Sequence, residues 1–205
     1  MKKIVCMLLS LGILFSFAGC KNNEGGQDNL GTSETSVEEY AKKGQIPEQK
    51  FVLGADIETV KKYYSDFVSQ YEQENPNEEN TGHSHEELEA YYFDVAEGEK
   101  TIRMDTGNTS FFYEKAKADK GVSVISTKET AFGFVPGSTI KQEIEMAFTS
   151  KGTTLEATAE DMYFVIQTDT SVILRYTFEN IKLDFYFTDN ILMTTVIMNT
   201  QNWTV

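Results

Sequence analysis

The two histidines of the chain lie two residues apart, in the segment His83-Ser84-His85-Glu86-Glu87. Imidazole nitrogens beside carboxylates are typical ligands of zinc and other divalent ions, so His83 and His85 are the candidate metal ligands. The segment has a second interpretation, because Ser84 and Glu87 have the spacing of a capping box that begins a helix. Residues two apart in a helix do not face each other, and the preceding NPNEENTG is typical of a solvated loop. We therefore favour the solvated loop and keep the metal site as the alternative.

The triplet Asp105-Thr106-Gly107 matches the active-site triplet of aspartic proteases, and it occurs once in the chain. Aspartic proteases need two carboxylates that share a proton, so a single triplet does not supply their chemistry. Followed by Asn108 and placed between two strand-like runs, the same residues are typical of a hairpin turn. We therefore predict a turn here.

No other group of residues predicts catalysis. Serine and cysteine nucleophiles need a nearby base, usually histidine, and both histidines lie in one segment. Neither the P-loop pattern nor the glycine pattern of dinucleotide-binding proteins occurs. We therefore predict no catalytic residue and no cofactor. An envelope enzyme, either metal-dependent or a hydrolase that uses paired carboxylates, is the alternative to a binding protein.

A third set of residues predicts recognition. Alternation along the strand-like runs places most apolar residues on one face of a sheet and leaves aromatic and arginine side chains on the other. Aromatic and arginine side chains are enriched in protein-recognition surfaces. The predicted partner-binding face consists of Tyr92, Arg103, Phe112, Arg175 and Tyr186. The alternative is that these side chains pack beneath another part of the chain.

Two helices are predicted to position these strands. Asp56 and Thr139 are plausible N-caps, and Thr139 with Gln142 has the spacing of a capping box. The first helix places Phe67 with other apolar residues on one stripe, and Asn75-Pro76 ends it.

Four strand-like runs, separated by turn-rich pieces, follow each helix. We therefore predict an α+β fold made of two repeats, residues 51–130 and 131–205, each a helix followed by a four-stranded antiparallel sheet. The predicted strands are Tyr91–Val95, Thr101–Asp105, Ser110–Glu114 and Val122–Thr127 in the first repeat, and Met162–Thr168, Ser171–Phe178, Lys182–Thr188 and Ile191–Asn199 in the second.

Each helix begins with a Gly-x-polar-Ile sequence, Gly54-Ala55-Asp56-Ile57 and Gly137-Ser138-Thr139-Ile140. With the strands that follow, residues 51–205 resemble the tandem-repeat fold of β-lactamase inhibitor proteins, a unit that occurs singly in small outer-membrane-assembly lipoproteins. The resemblance implies a fold and no function, because one fold hosts many functions.

Residues 1–20 have the order of a secretory signal, with Lys2 and Lys3, then an apolar run, then small residues before Cys20. The ending Phe17-Ala18-Gly19-Cys20 resembles the lipobox of bacterial lipoproteins, although Phe17 stands where leucine is usual. The resemblance implies removal of residues 1–19 and attachment of a diacylglycerol to the Cys20 thiol. The protein is then exported and anchored to a bacterial membrane. An ordinary signal peptide with an incidental cysteine is the alternative.

The composition bounds the rest of the chain. The 18 basic and 32 acidic residues give a formal net charge of −14, which argues against nucleic acid as a partner, because its binding needs basic patches. Residues 21–50 are polar and predict a flexible tether, and residues 51–205 predict one globular domain. The sequence therefore predicts a lipid-anchored binding module of the cell envelope that recognises a protein or glycan through its outer sheet face.

Overall fold

The computed structural model describes residues 36–74, 93–165 and 170–204. Their strands form one eight-stranded antiparallel sheet in the order β1-β2-β3-β4-β8-β7-β6-β5. The strands are β1 (Phe93–Glu97), β2 (Thr101–Thr106), β3 (Thr109–Glu114), β4 (Val124–Thr127), β5 (Thr153–Glu156), β6 (Val172–Phe178), β7 (Ile181–Thr188) and β8 (Ile191–Asn199).

The prediction of two repeats, each with its own four-stranded sheet, is wrong. Strand β4 pairs with β8, with Ser126 opposite Val196, so that all eight strands belong to one sheet and the fold is mostly β. The pairing joins residues about 70 positions apart in the chain, a distance over which sequence periodicity carries no information. The resemblance to β-lactamase inhibitor proteins implied the same repeated helix-plus-sheet unit. That expectation is also wrong, because the strands form one eight-stranded sheet.

The predicted strand Met162–Thr168 is also wrong over residues 162–164, and residues 166–168 lie outside the described residues. Residues Asp161–Phe164 form a 3₁₀ helix, and the strand next to β6 is Thr153–Glu156, which precedes it. The Asp161 carboxylate accepts hydrogen bonds from the backbone N–H and the hydroxyl of Thr158, at 3.1 and 2.7 Å. This local bonding favours a helical turn over an extended strand, because the side chain replaces the ladder partner of the backbone.

Three α-helices lie in the described residues: α1 (Val37–Lys42), α2 (Ile57–Glu74) and α3 (Lys141–Ala147). Asp56 caps α2 as predicted, since its carboxylate accepts from the Thr59 N–H at 2.8 Å. The capping box predicted for α3 is wrong. The Glu143 carboxylate accepts from the Ile140 N–H at 3.1 Å, while the Thr139 hydroxyl accepts from the Val135 N–H in the preceding turn.

One face of the sheet packs against the helices, and we call this the helix-side core. It contains the apolar residues that alternation predicts to face the helices, among them Ile102, Met104, Phe111, Leu174, Leu183 and Phe185. Phe67 does not belong to this core, because its side chain is 41% exposed on the second half of α2. The helix rises about 1.5 Å per residue, so its later turns extend past the residues that anchor its start, Ile57 and Val60.

Residues 36–50, which the composition assigns to a flexible tether, pack on the sheet. Ala41 and Ile46 are buried in the helix-side core. The Glu38 carboxylate is buried as well, and it accepts hydrogen bonds from Thr149 and Ser150 just after α3. Residues 36–50 therefore belong to the folded part of the chain.

The opposite face of the sheet is covered by the 3₁₀ segment and by the end of the chain. We call the resulting cluster the second core, and it consists of Phe112, Val124, Phe164, Val165, Ile173, Tyr186, Val196, Met198 and Trp203. Among the described residues, no helix has the length and apolar character needed to span a membrane.

Candidate functional site

The predicted binding residues that the structure describes lie on the face of the second core. Arg103 lies directly opposite Phe112 in the β2–β3 pair, and Phe112 and Tyr186 both belong to the second core. Alternation therefore predicts the correct face for these residues. Tyr92, the histidines His83 and His85, and Cys20 lie outside the described residues.

Phe112 and Tyr186 are corrected in one respect, since each side chain is only 1% exposed. The Phe112 ring packs edge-on against Phe164 and Trp203, with centroids 5.3 and 6.1 Å apart. The Tyr186 hydroxyl donates to the Asp161 carbonyl at 3.1 Å. Both residues therefore support the 3₁₀ helix Asp161–Phe164, which we call the covering segment, and neither offers contact area to a partner.

Arg175 fastens the covering segment to the sheet. Its guanidinium donates to both carboxylate oxygens of Asp184, at 2.7 and 2.8 Å, and to Asp161 at 2.9 Å. The hydrogen bond to Asp184 raises the pKa of Arg175 above its ordinary value. Burial would raise the pKa of Asp161, but hydrogen bonds from Thr158 and Arg175 outweigh that effect and hold it below its ordinary value. Arg175 is thus a partly buried anchor whose Nε and Nη2 donate to Asp184 and Asp161.

Arg103 is the most exposed of the predicted binding residues in the described part of the chain, with 42% of its side chain accessible. Its Nε donates to Asp105 Oδ2 at 2.6 Å, and the other oxygen of Asp105 accepts from the Ser110 hydroxyl at 2.5 Å. Asp105 is thus paired within the β2–β3 hairpin. Thr106, the next residue, closes the turn through hydrogen bonds with Thr109, as the turn prediction requires.

An open pocket of about 390 Å³ lies beside the second core, and we call it the aromatic pocket. Glu160, Tyr163, Phe164 and Trp203 line it. Tyr163 is the exposed member of the aromatic lining, with 51% of its surface accessible. The sequence-based prediction missed these residues because it placed Tyr163 and Phe164 in a strand. The signal available in the sequence was the pair of aromatic residues together with the only tryptophan of the chain.

Hydrogen bonds and ring packing fix the shape of this pocket. The Tyr163 hydroxyl lies 3.0 Å from the Thr101 hydroxyl on β2, and the Ser126 hydroxyl on β4 donates to the Phe164 carbonyl at 2.6 Å. The Phe164 and Trp203 rings pack with centroids 5.4 Å apart. Aromatic pairs of this kind add about 0.5–1.5 kcal/mol beyond simple burial. The exposed Tyr163 ring is therefore supported on one side by its hydroxyl contact and by the Phe112, Phe164 and Trp203 rings.

Thr204 is bound to the sheet next to the pocket residue Trp203. The buried Glu114 carboxylate accepts hydrogen bonds from the backbone N–H and the hydroxyl of Thr204, and it pairs with Lys117. Burial would raise the pKa of Glu114, but these bonds hold it below its ordinary value. Trp203, the residue before Thr204, is thereby kept against the second core.

The charge in the aromatic pocket is negative. Glu160 is exposed, and no hydrogen bond or ion pair joins its carboxylate to any described residue. Three basic side chains around the second core contact other groups. Arg175 pairs with Asp161 and Asp184, Lys117 pairs with Glu114, and Lys182 lies 3.8 Å from Asp184. Burial lowers the pKa of Lys182.

The described lining of the aromatic pocket is three aromatic side chains and one carboxylate. Within residues 36–74, 93–165 and 170–204, no group of three or more His, Cys, Asp or Glu side chains is placed to hold a metal ion. An oriented, exposed aromatic ring beside an unpaired carboxylate is instead suited to hold part of a ligand by stacking and charge.

No protein-family model matches the chain, and no curated protein does so either. Among solved structures, the chain is similar to a DUF4309 family protein (YjgB) from Bacillus subtilis subsp. subtilis str. 168. The match covers 80% of this chain and 98% of that chain, with 14% sequence identity and a TM-score of 0.41. Similarity at this level carries no argument about the site.

Proposed function

We propose that the protein is a non-catalytic binding module of the cell envelope, anchored through a lipid on Cys20, that recognises a protein partner through the aromatic pocket. The observation that carries the proposal is Tyr163, whose ring is half exposed at the pocket although its hydroxyl lies 3.0 Å from the Thr101 hydroxyl and its ring packs against Phe112, Phe164 and Trp203. Rigid aromatic residues commonly dominate the energy of protein interfaces, because they bury large areas and lose little rotational freedom.

Two features of the pocket support binding. Its floor is built on the sheet through the largely buried Phe164 and Trp203, so the exposed Tyr163 ring is supported without rearrangement. Its rim carries the Glu160 carboxylate, and Arg103 lies on the same sheet face, directly opposite Phe112. An apolar centre with charged groups around it is the usual composition of a recognition site.

Site-specific cross-linking in the native bacterium tests this proposal. A photoreactive phenylalanine analogue in place of Tyr163 should give a cross-linked partner on illumination. The same analogue in place of Tyr63, a partly exposed tyrosine on α2, is the matched control and should give none. Cross-linking from position 63 and none from position 163 would contradict the proposed site.

A separate experiment tests whether the protein is anchored through a lipid on Cys20. Cys20→Ser should remove the attached lipid, as measured by mass spectrometry of the N-terminus, and release the protein from the membrane fraction. A Cys6→Ser variant is the control, because Cys6 leaves with the signal peptide. Lipid retained in Cys20→Ser would show that the lipobox interpretation is wrong.

A further inference from the structure

We infer that the aromatic pocket accepts the side chain of a lysine or arginine from a basic segment of the partner. This inference rests on the proposed function and names the chemistry of its ligand. Three observations carry it: the exposed ring of Tyr163, the unpaired carboxylate of Glu160, and the net charge of the chain.

The Tyr163 ring offers a site for a cation. Ammonium and guanidinium groups within about 6 Å of an aromatic ring centre are attracted by the negative charge density of the ring face. The chain uses the same contact on its helix side, where Lys50 Nζ lies 3.7 Å from the centre of the Tyr63 ring. Among the described residues, no such cation lies over Tyr163, and the space beside its ring is the open pocket.

Glu160 supplies the counter-charge. Its neighbour Asp161 is paired with Arg175, which also neutralises Asp184. Glu160 has no corresponding cation among the described residues, although it lines the same pocket as Tyr163. A basic side chain lying on the Tyr163 ring is thus offered an ion pair in the same pocket.

The described lining suits a cation better than a sugar. A neutral sugar gains only hydrogen bonds from the Glu160 carboxylate, whereas a cation gains a charge-assisted hydrogen bond and the attraction of the Tyr163 ring face. Here the Tyr163 hydroxyl is already engaged with Thr101, and Phe164 and Trp203 are largely buried, so Glu160 is the main polar group of the described lining. The formal net charge of −14 also favours a basic partner, because the field of the whole protein steers opposite charge toward it.

The single tryptophan makes the test specific to this pocket. Trp203 is the only tryptophan of the chain and lines the pocket, so its fluorescence reports occupancy there. The intact protein, held in an uncharged polyoxyethylene detergent that carries no sugar, is titrated with three probes. They are the peptide acetyl-Ser-Lys-Ser-Lys-Ser-amide, its counterpart with glutamate in place of lysine, and the neutral trisaccharide of N-acetylglucosamine.

We expect a saturable change with the lysine peptide and none with the glutamate peptide. Glu160→Gln should weaken binding of the lysine peptide about tenfold, since one charge-assisted contact is lost. Tyr163→Leu should remove the response. Glu99→Gln, which neutralises an exposed carboxylate in the β1–β2 turn, should leave it unchanged.

Other results separate the inference from the proposed function. A response to the trisaccharide alone, or equal binding of the lysine peptide by the parent protein and Glu160→Gln, would overturn the cationic ligand and leave a binding pocket in place. No response to any probe would also overturn the inference, and the proposed function would then stand or fall on cross-linking from position 163.

Discussion

At the scale of single residues, the buried carboxylate of Glu38 makes a dense set of polar contacts that connects distant parts of the chain. It accepts hydrogen bonds from the N–H and hydroxyl groups of Thr149 and Ser150, at 2.5–3.0 Å, and pairs with Lys42 at 2.9 Å. Hydrogen bonding from the Thr149 side chain is the main reason that the pKa of Glu38 lies well below its ordinary value of 4.5. The charged form is therefore strongly favoured in the folded protein, and it joins the first helix to the end of α3.

This geometry predicts a pH-dependent loss of stability on neutralising Glu38. At pH 7, Glu38→Gln should lower the free energy of unfolding by about 1–3 kcal/mol, because charge-assisted hydrogen bonds are replaced by weaker neutral ones. A carboxylate with a depressed pKa stabilises the fold above its unfolded pKa, and that stabilisation is lost as the pH falls toward the folded pKa. The difference between the parent protein and Glu38→Gln should thus shrink below about pH 4.5.

Urea denaturation between pH 3 and pH 8 measures this difference. Glu39→Gln is the matched control, because Glu39 is the next residue in α1 and is exposed. Its free energy of unfolding should stay within about 0.5 kcal/mol of the parent protein throughout. Equal losses in both variants, or a Glu38→Gln loss that does not change with pH, would contradict the assigned role.

At the scale of elements, the segment Asp161–Phe164 decides what the second face of the sheet presents. It places Phe164 over the sheet, directs Tyr163 to the pocket, and is held by the ion pair between Asp161 and Arg175. Without it, the apolar residues of the second core would face solvent. A short helical turn therefore converts an apolar sheet face into a small pocket with a fixed rim.

The ion pairs of Arg175 with Asp161 and Asp184 predict that Arg175→Met lowers the free energy of unfolding substantially. The substitution leaves Asp184, whose side chain is 2% exposed, without its bidentate partner. Breaking a buried ion pair usually costs about 3–5 kcal/mol, and we expect about 2–4 kcal/mol here because Arg175 is only half buried. Hydrogen exchange should also increase in residues 158–165. Lys182→Met is the control and should cost much less, because Lys182 Nζ lies 3.8 Å from Asp184. Equal losses in the two variants would contradict the anchoring role of Arg175.

The same segment shows what the sequence could and could not predict. Alternation depends on local spacing, and it correctly predicts which faces carry Met104 and Arg103. The start of α2 is also local, since Asp56 bonds three residues ahead. The burial of Phe112 and Tyr186 depends instead on the segment Asp161–Phe164. This segment lies about 50 residues after Phe112 and about 20 residues before Tyr186. Periodicity within a strand cannot indicate that cover.

The aromatic pocket was not predictable for a related reason. Tyr163 and Phe164 occur in an apolar run, MYFVI, whose length is equally compatible with a buried strand and with a short helical turn. Trp203 comes from the end of the chain, and the buried Glu114 that holds the adjacent Thr204 lies about 90 residues earlier. The site therefore arises from contacts between distant parts of the chain.

At the scale of the whole molecule, two buried glutamates hold the ends of the described fold. Glu38 ties the first helix to residues 149–150, and Glu114 ties the last residues to β3. The first connection explains why residues 36–50 belong to the folded part despite their polar composition. The segment is held by the buried Ala41 and Ile46 together with the charge-assisted hydrogen bonds that Glu38 accepts.

This arrangement predicts that a fragment of residues 36–205 is more stable than one of residues 51–205. The shorter fragment lacks the Ala41 and Ile46 side chains of the helix-side core and the bonds of Glu38. Burial of a large apolar side chain contributes about 1.5–3 kcal/mol, so we expect a total loss of about 3–6 kcal/mol by urea denaturation. Adding a peptide of residues 36–50 to the shorter fragment should restore part of the loss, and the same peptide with Glu38→Gln should restore less. A peptide of the same composition in scrambled order serves as the control for non-specific binding. Equal stability of the two fragments would show that the fold does not depend on its first helix.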